Sequence, residues 1–235
     1  MAENIYNINE KGFLIGFIAA MKRIMSREAY EKGRVRHATQ DGSREFISLL
    51  ACICADGTAL PPALIYQGDS HDLQDTWFDD LEEGDSAYFG TSTNGWSSDA
   101  FGLRWLHQVF ERHTRAKAGN RRRLLIVDGH SSHVNIRFLN YCDAHRILVL
   151  ILPPHSTHRL QPLDVGLFQP LATAYSKHLN NITSKSLGMV SMSKRMFWRI
   201  FKAAWKDSFT PKNIMSAFEK PGIWPVASEI GRAHV

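Results

Sequence analysis

The stretch RRRLLIVDGHSSHVNIRFLNYCDAHRILVLILPP, residues 121–154, decides the fold. Leu124 to Val127 are a short aliphatic run that stops at Asp128-Gly129, a polar turn. A continuous apolar run bounded in this way reads as a strand buried on both faces. Val134 to His145 reads as a helix, and Arg146 to Pro154 as a second buried strand. Strand, helix and strand at this spacing predict a parallel βαβ unit. In open α/β sheets ligands gather at the carboxyl ends of the strands, so the loops after Val127 and Leu152 should meet over one edge.

Working outward, NIYNINEKGFLIGF (4–17) reads as a strand, a polar turn at Asn9 to Gly12, and a second apolar stretch. REFISLLACICADG (44–57) is a longer strand closed by Asp56-Gly57, and PPALIYQG (61–68) a short one entered through prolines. These three predict an antiparallel meander. Residues 67–97, rich in Gly, Asp, Ser and Thr without a period, read as loop with short turns. SSDAFGLRWLHQVFERHT (97–114) is a helix with Ser97, Ser98 or Asp99 as cap. VGLFQPLATAYSKHLN (165–180) and the aromatic SKRMFWRIFKAAWKDSF (193–209) are later helices, with Pro170 near the first turn of the former. The expected architecture is an α/β mixed sheet, a meander followed by a parallel βαβ unit, flanked by helices.

At 235 residues, 44% hydrophobic and 22% charged, the chain can bury one substantial core. No apolar run reaches the ~18 residues that span a bilayer, and no secretory signal is visible, so a membrane partner is not expected. The formal net charge of +5 suits a polyanionic partner without requiring one. Basic residues cluster at 22–27, 32–36, 121–123 and 194–206. Each cluster alone reads as a solvated face; together they make a phosphate-binding surface. Cys52, Cys54 and Cys142 have no zinc-ribbon spacing and read as small buried hydrophobes. No GxxxxGK[ST] phosphate loop occurs, and no small-molecule cofactor is expected. Trp96, Trp105, Trp198, Trp205 and Trp224 are read as core residues for the most part, with stacking on bases the other reading.

Asp128 and Asp164 fall in the two loops that should meet. Two converging carboxylates can hold Mg²⁺ or Mn²⁺, hard ions that take oxygen ligands. The competing readings are plain: Asp128-Gly129 as a turn, Asp164 as a helix cap. The surrounding residues point further. DGHSSH (128–133), LPPHSTHRLQPLDVGLFQPL (152–171), NGWSSDAFGLRWL (94–106) and AFEKPGIWPV (217–226) occur in family order. They resemble the DDE-superfamily endonuclease domain of pogo-like transposases, in the mariner superfamily, and its fungal branch in particular.

That resemblance implies an RNase H-like fold, residues 1–235 as a single catalytic domain, and three acids binding two divalent ions. The implied reaction is hydrolysis and strand transfer at DNA phosphodiesters, in the nucleus, with self-association of the protein. Asp128 would be the second acid and Asp164 the third. The family's first acid falls in a segment like Asn-x-Asp-Glu-x-Gly-Phe, where this chain reads Asn7-Ile8-Asn9-Glu10-Lys11-Gly12-Phe13. The first catalytic position is therefore Asn9, whose amide oxygen can ligate a metal but brings no charge. Glu10 is not expected to replace it, since adjacent strand side chains point to opposite faces. His130 and His133 would orient Asp128 or contact phosphate, with a surface or capping role the alternative; His155 carries the same ambiguity. Gln161 would hydrogen-bond DNA or brace its loop. The helix-turn-helix modules that precede the catalytic domain in pogo-like transposases do not appear in these 235 residues. The expectation is a DNA endonuclease and strand-transfer domain impaired at Asn9; the alternative is a non-catalytic, domesticated nucleic-acid-binding domain.

Overall fold

The computed structural model describes residues 1–15, 45–68, 73–93, 95, 97–128, 135–153, 156–185 and 193–226. The basic clusters at 22–27 and 32–36, Gly129, His130, His133, His155 and Trp96 lie outside these residues.

A six-stranded mixed sheet organises the chain, with strand order β4-β3-β2-β1-β5-β6. β1 (Ile5–Ile15), β2 (Glu45–Cys54) and β3 (Ala63–Gln67) form the antiparallel meander. β5 (Arg123–Val127), α3 (Ile136–Ala144) and β6 (Ile147–Ile151) form the βαβ unit, with β5 parallel to both β1 and β6. β4 (Tyr88–Ser92) runs parallel to β3 at the far edge. Between β4 and β5, α1 (Asp99–Trp105) passes through a π-helical stretch, Leu106–Glu111, into α2 (Arg112–Ala118). Ser98 caps it, its hydroxyl accepting from Phe101 N. After β6 come the single turn α4 (Thr157–Leu160), a π-helical stretch Leu163–Leu167, then α5 (Phe168–Lys185), α6 (Lys194–Ser208) and α7 (Pro211–Glu219).

Alternation along the meander builds two cores. On one face Phe13, Ile15, Leu49, Ile53, Leu64 and Tyr66 meet the aromatic sides of α5, α6 and α7, including Phe197, Phe201 and Phe218. On the other face Tyr6, Ile8, Leu50, Cys52 and Leu125 meet Trp105, Phe110 and Phe138. The three cysteines are buried and free, as their apolar surroundings suggested. Trp105 and Trp198 are buried, and Trp205 and Trp224 pack against the aromatic core.

Three local expectations are corrected. No turn interrupts residues 9–12: β1 is continuous and pairs with β2 from Tyr6↔Cys54 to Ile15↔Glu45. Its polar residues are side chains with partners on the two faces, so polarity there did not signal a turn. Residues 67–97 are not all loop; they hold β4 and a 3₁₀ turn, Asp75–Phe78. The Gly, Ser and Thr content hid an edge strand in which Gly90 is needed for close packing, because an added Cβ would lie 2.6 Å from the Phe101 ring. β6 is not buried on both faces. It is the other edge, and Leu148 and Leu150 are each 46% exposed, because the aromatic core and its helices cover β1 to β3.

Candidate functional site

β1 and β5 run side by side only from Ile5↔Leu124 to Asn7↔Ile126. β5 ends at Val127, while β1 continues to Ile15 along β2 alone. The notch beyond this last pair is where sequence places Asn9 and Asp128, and the helical stretch from Leu163 brings Asp164 to it.

Asn9 points into the notch. Its Nδ2 donates to Asp164 Oδ2 at 3.0 Å, and its Oδ1 accepts from Glu10 N at 2.7 Å. Both ends of the amide are thereby engaged. Asp164 is half-buried, and its carboxyl is held above the usual aspartate range. Burial is the main cause; the Lys11 ammonium opposes it, the neighbouring Asp128 charge reinforces it, and the Asn9 hydrogen bond opposes it. Asp128 is thus close enough for its charge to act on Asp164. Lys11 follows Asn9 by two positions on the same strand face, with its Nζ 5.8 Å from the Phe168 ring centre.

Glu10 takes no part in this corner. It projects from the opposite face of β1, where Oε1 accepts from Ser97 N at 3.0 Å and Oε2 from Ser97 Oγ. The alternation argument against Glu10 as a substitute for residue 9 is borne out. Gln161 is fully buried, and its Nε2 donates to Ile8 O at 3.0 Å. Of its two readings, bracing the loop is the one the structure supports. Asp164 does not cap a helix starting at Val165, since it lies inside the π-helical stretch. Among the described residues no group of three His, Cys, Asp or Glu side chains forms a metal cage.

Sequence reasoning missed two residues here. Asn7 is fully buried and bonds to both β5 and Leu163. Lys11 supplies a positive charge that acts on Asp164. The signal for both was the period of two along β1, which places 7, 9 and 11 on one face.

Among the described residues, several basic side chains of the clusters at 121–123 and 194–206 are engaged within the chain. On α6, Arg195 pairs with Asp79 at 2.7 Å, Lys202 with Glu82 and Asp85 at 2.6 and 2.7 Å, and Lys194 donates to Gln67 O at 2.7 Å. Arg121 pairs with Glu3, and Arg123 is buried on Glu111, both at 2.7 Å. These contacts weaken the reading of 121–123 and 194–206 as phosphate-binding faces, because each paired charge already has its counter-ion.

Residues 43–218 match the model of the DDE superfamily endonuclease family. The chain belongs to that family. The matched span begins after β1, so Asn9 stands outside it. A protein of Cochliobolus lunatus named MFS-type transporter clz9 is 36% identical over 228 residues, 97% of this chain and 24% of that one. The human Pogo transposable element with ZNF domain is 26% identical over 117 residues, 50% of this chain and 8% of that one. The chain thus spans a quarter or less of the length of these two relatives. Among the described residues of this chain, a DDE/pogo-like transposase domain, no helix is long and apolar enough to cross a membrane. Among solved structures, the Mos1 mariner paired end complex with Mn superposes with a TM-score of 0.51 over 95% of this chain and 55% of that one, at 14% identity. The sheet and its flanking helices are accordingly the RNase H-like fold.

Proposed function

We propose that this domain derives from a DNA endonuclease and strand-transferase working on DNA phosphodiesters with divalent ions, and that Asn9 impairs it. One contact carries the reading: Asn9 Nδ2 donates to Asp164 Oδ2 at 3.0 Å in the notch that Asp128 borders. Three positions expected to act together converge, but the first contributes an amide instead of an acid. The relatives named as pogo transposable elements support DNA as the partner, and a nuclear location is part of the same proposal. The Mn-containing Mos1 complex supports a divalent ion.

The donors fit one hard ion better than two. Mg²⁺ and Mn²⁺ sites commonly use one or two carboxylates and complete their shell with water and substrate phosphate. Asp128 and Asp164 meet that need. A second ion would call on residue 9, whose neutral Oδ1 already accepts from Glu10 N–H and brings no charge. When bound, such an ion activates water and stabilises the leaving oxygen of the phosphodiester. Asp128 and Asp164 would hold it; Asn9 tethers Asp164, and Lys11 offsets part of the carboxylate charge. A unit charge at ~4 Å is worth roughly 4 kcal/mol at an effective dielectric near 20, so the missing carboxylate weakens ion binding by orders of magnitude.

The same contact favours a second reading, a non-catalytic nucleic-acid-binding domain, because the Asn9 amide satisfies Asp164 without any ion. Nicking of supercoiled plasmid in Mg²⁺ or Mn²⁺ separates the two. The impaired-nuclease reading expects wild type near background, Asn9→Asp at least about tenfold faster, and Asp128→Ala added to Asn9→Asp back at background. Wild type cleaving as fast as Asn9→Asp would overturn the impairment; an Asn9→Asp chain that stays inert would favour the binding domain.

A further inference from the structure

We infer that Asn7 is a positioning residue that fixes all three segments of the corner through one side chain. Asn7 is fully buried on the notch face of β1, two residues before Asn9. Its Nδ2 donates to Ile126 O at 3.1 Å, two residues before Asp128. Its Oδ1 accepts from Leu163 N at 3.0 Å, one residue before Asp164. The amide thus touches each corner-bearing segment within two residues of the group it carries.

Its place in the topology gives these bonds weight. Asn7↔Ile126 is the last pair of the β1–β5 ladder, so beyond it no ladder bond sets the separation of the strands. Leu163 lies in the first turn of its helix, where backbone N–H groups have no helical acceptor. Asn7 Oδ1 does from another element what a capping side chain does locally. Gln161 adds a second tie through Nε2 to Ile8 O, but its buried Oε1 meets no protein donor, so of these two buried amides it is Asn7 that uses both ends. The job needs one donor and one acceptor on a short planar group. Leucine fills the same space with neither, and leaves buried polar partners unsatisfied.

This inference rests on the proposed reading that residues 9, 128 and 164 form the working corner, yet its first test needs no ion. In NMR spectra of the wild-type chain, the Leu163 backbone amide and the Asn9 side-chain amide should exchange slowly with solvent. In Asn7→Leu both should lose at least about tenfold in protection while the far-ultraviolet circular dichroism stays native. Thr114→Val, which removes a buried hydroxyl bonded to Phe110 O and Arg123 in the other core, should leave both unchanged. A second readout is Mn²⁺ affinity by electron paramagnetic resonance in the Asn9→Asp background. There Asn7→Leu should weaken binding at least about tenfold and Thr114→Val by less than twofold. Rapid exchange of Leu163 in the wild type overturns the inference, even if Asn7→Leu does not fold; so does full protection of Asn9 in a folded Asn7→Leu. Absence of Mn²⁺ binding by Asn9→Asp overturns the metal reading instead, and the exchange data still decide the role of Asn7.

Discussion

Two aspartates, one just after β2 and one in the helical stretch Leu163–Leu167, receive contrasting treatment. Asp56 closes β2. Burial alone would raise its pKa, but hydrogen bonds from Lys117 and from the Thr58 hydroxyl and backbone bring it down to about 2. Asp164 sits in the notch with an amide and a more distant ammonium as its compensation, and a second carboxylate beside it; its pKa is raised. Asp56 is paired as a turn residue should be, and its ionised form is part of the fold's stability. Asp164 is held ionisable against its surroundings. Half-burying a carboxylate beside another costs stability, and it is the arrangement that the proposed cation site would require.

The largest effect is expected from Gly166→Ala, on the helical stretch that carries Asp164. An added Cβ would lie 2.4 Å from Ala217 Cβ and 2.7 Å from its Cα, so α7 must shift. Overpacking of this kind costs about 3 kcal/mol, or about 6–12 °C in Tm for a domain of this size, measurable by calorimetry.

Asp56→Asn should be next. It keeps an acceptor for Thr58 and loses the Lys117 ion pair, for a cost of about 1–2 kcal/mol at pH 7 in urea titrations. Because the folded pKa of about 2 lies below the unfolded value near 3.9, the carboxylate stabilises the fold above about pH 4 and stops doing so as pH falls through about 2. The gap between wild type and Asp56→Asn should therefore close across that window. A gap independent of pH would show that Asp56 acts through something other than its charge.

Asp164→Asn should have the smallest effect on stability. Removing a half-buried charge should leave stability within about 0.5 kcal/mol of wild type, or raise it, as is common when a functional carboxylate is replaced. A loss as large as that of Asp56→Asn would mean that the two aspartates serve the same structural purpose.

Legibility differed by element for physical reasons. The βαβ unit could be read because Leu124–Val127 is a continuous aliphatic run ended by a turn, a pattern local in sequence. Asp128, Asp164 and the deviant Asn9 were legible because dense motifs surround them. For Asn7 the period of two along β1 gave the face but not the role, since its partners lie 119 and 156 residues away. β4 was hidden by Gly90, chosen for room beside Phe101 and not for a turn. The charges of α6 looked like a surface for a polyanion because their counter-ions, Asp79, Glu82 and Asp85, come from a segment that sequence read only as loop.

The central claim is that residues 9, 128 and 164 make one cation site, weakened by a single missing charge. Mn²⁺ titration followed by electron paramagnetic resonance tests it most directly, on wild type, Asn9→Asp and Asn9→Asp with Asp164→Ala. The account expects Asn9→Asp to bind at least about tenfold more tightly than wild type, and Asp164→Ala to abolish that gain. Equal affinities for wild type and Asn9→Asp, or a gain that survives Asp164→Ala, would contradict it.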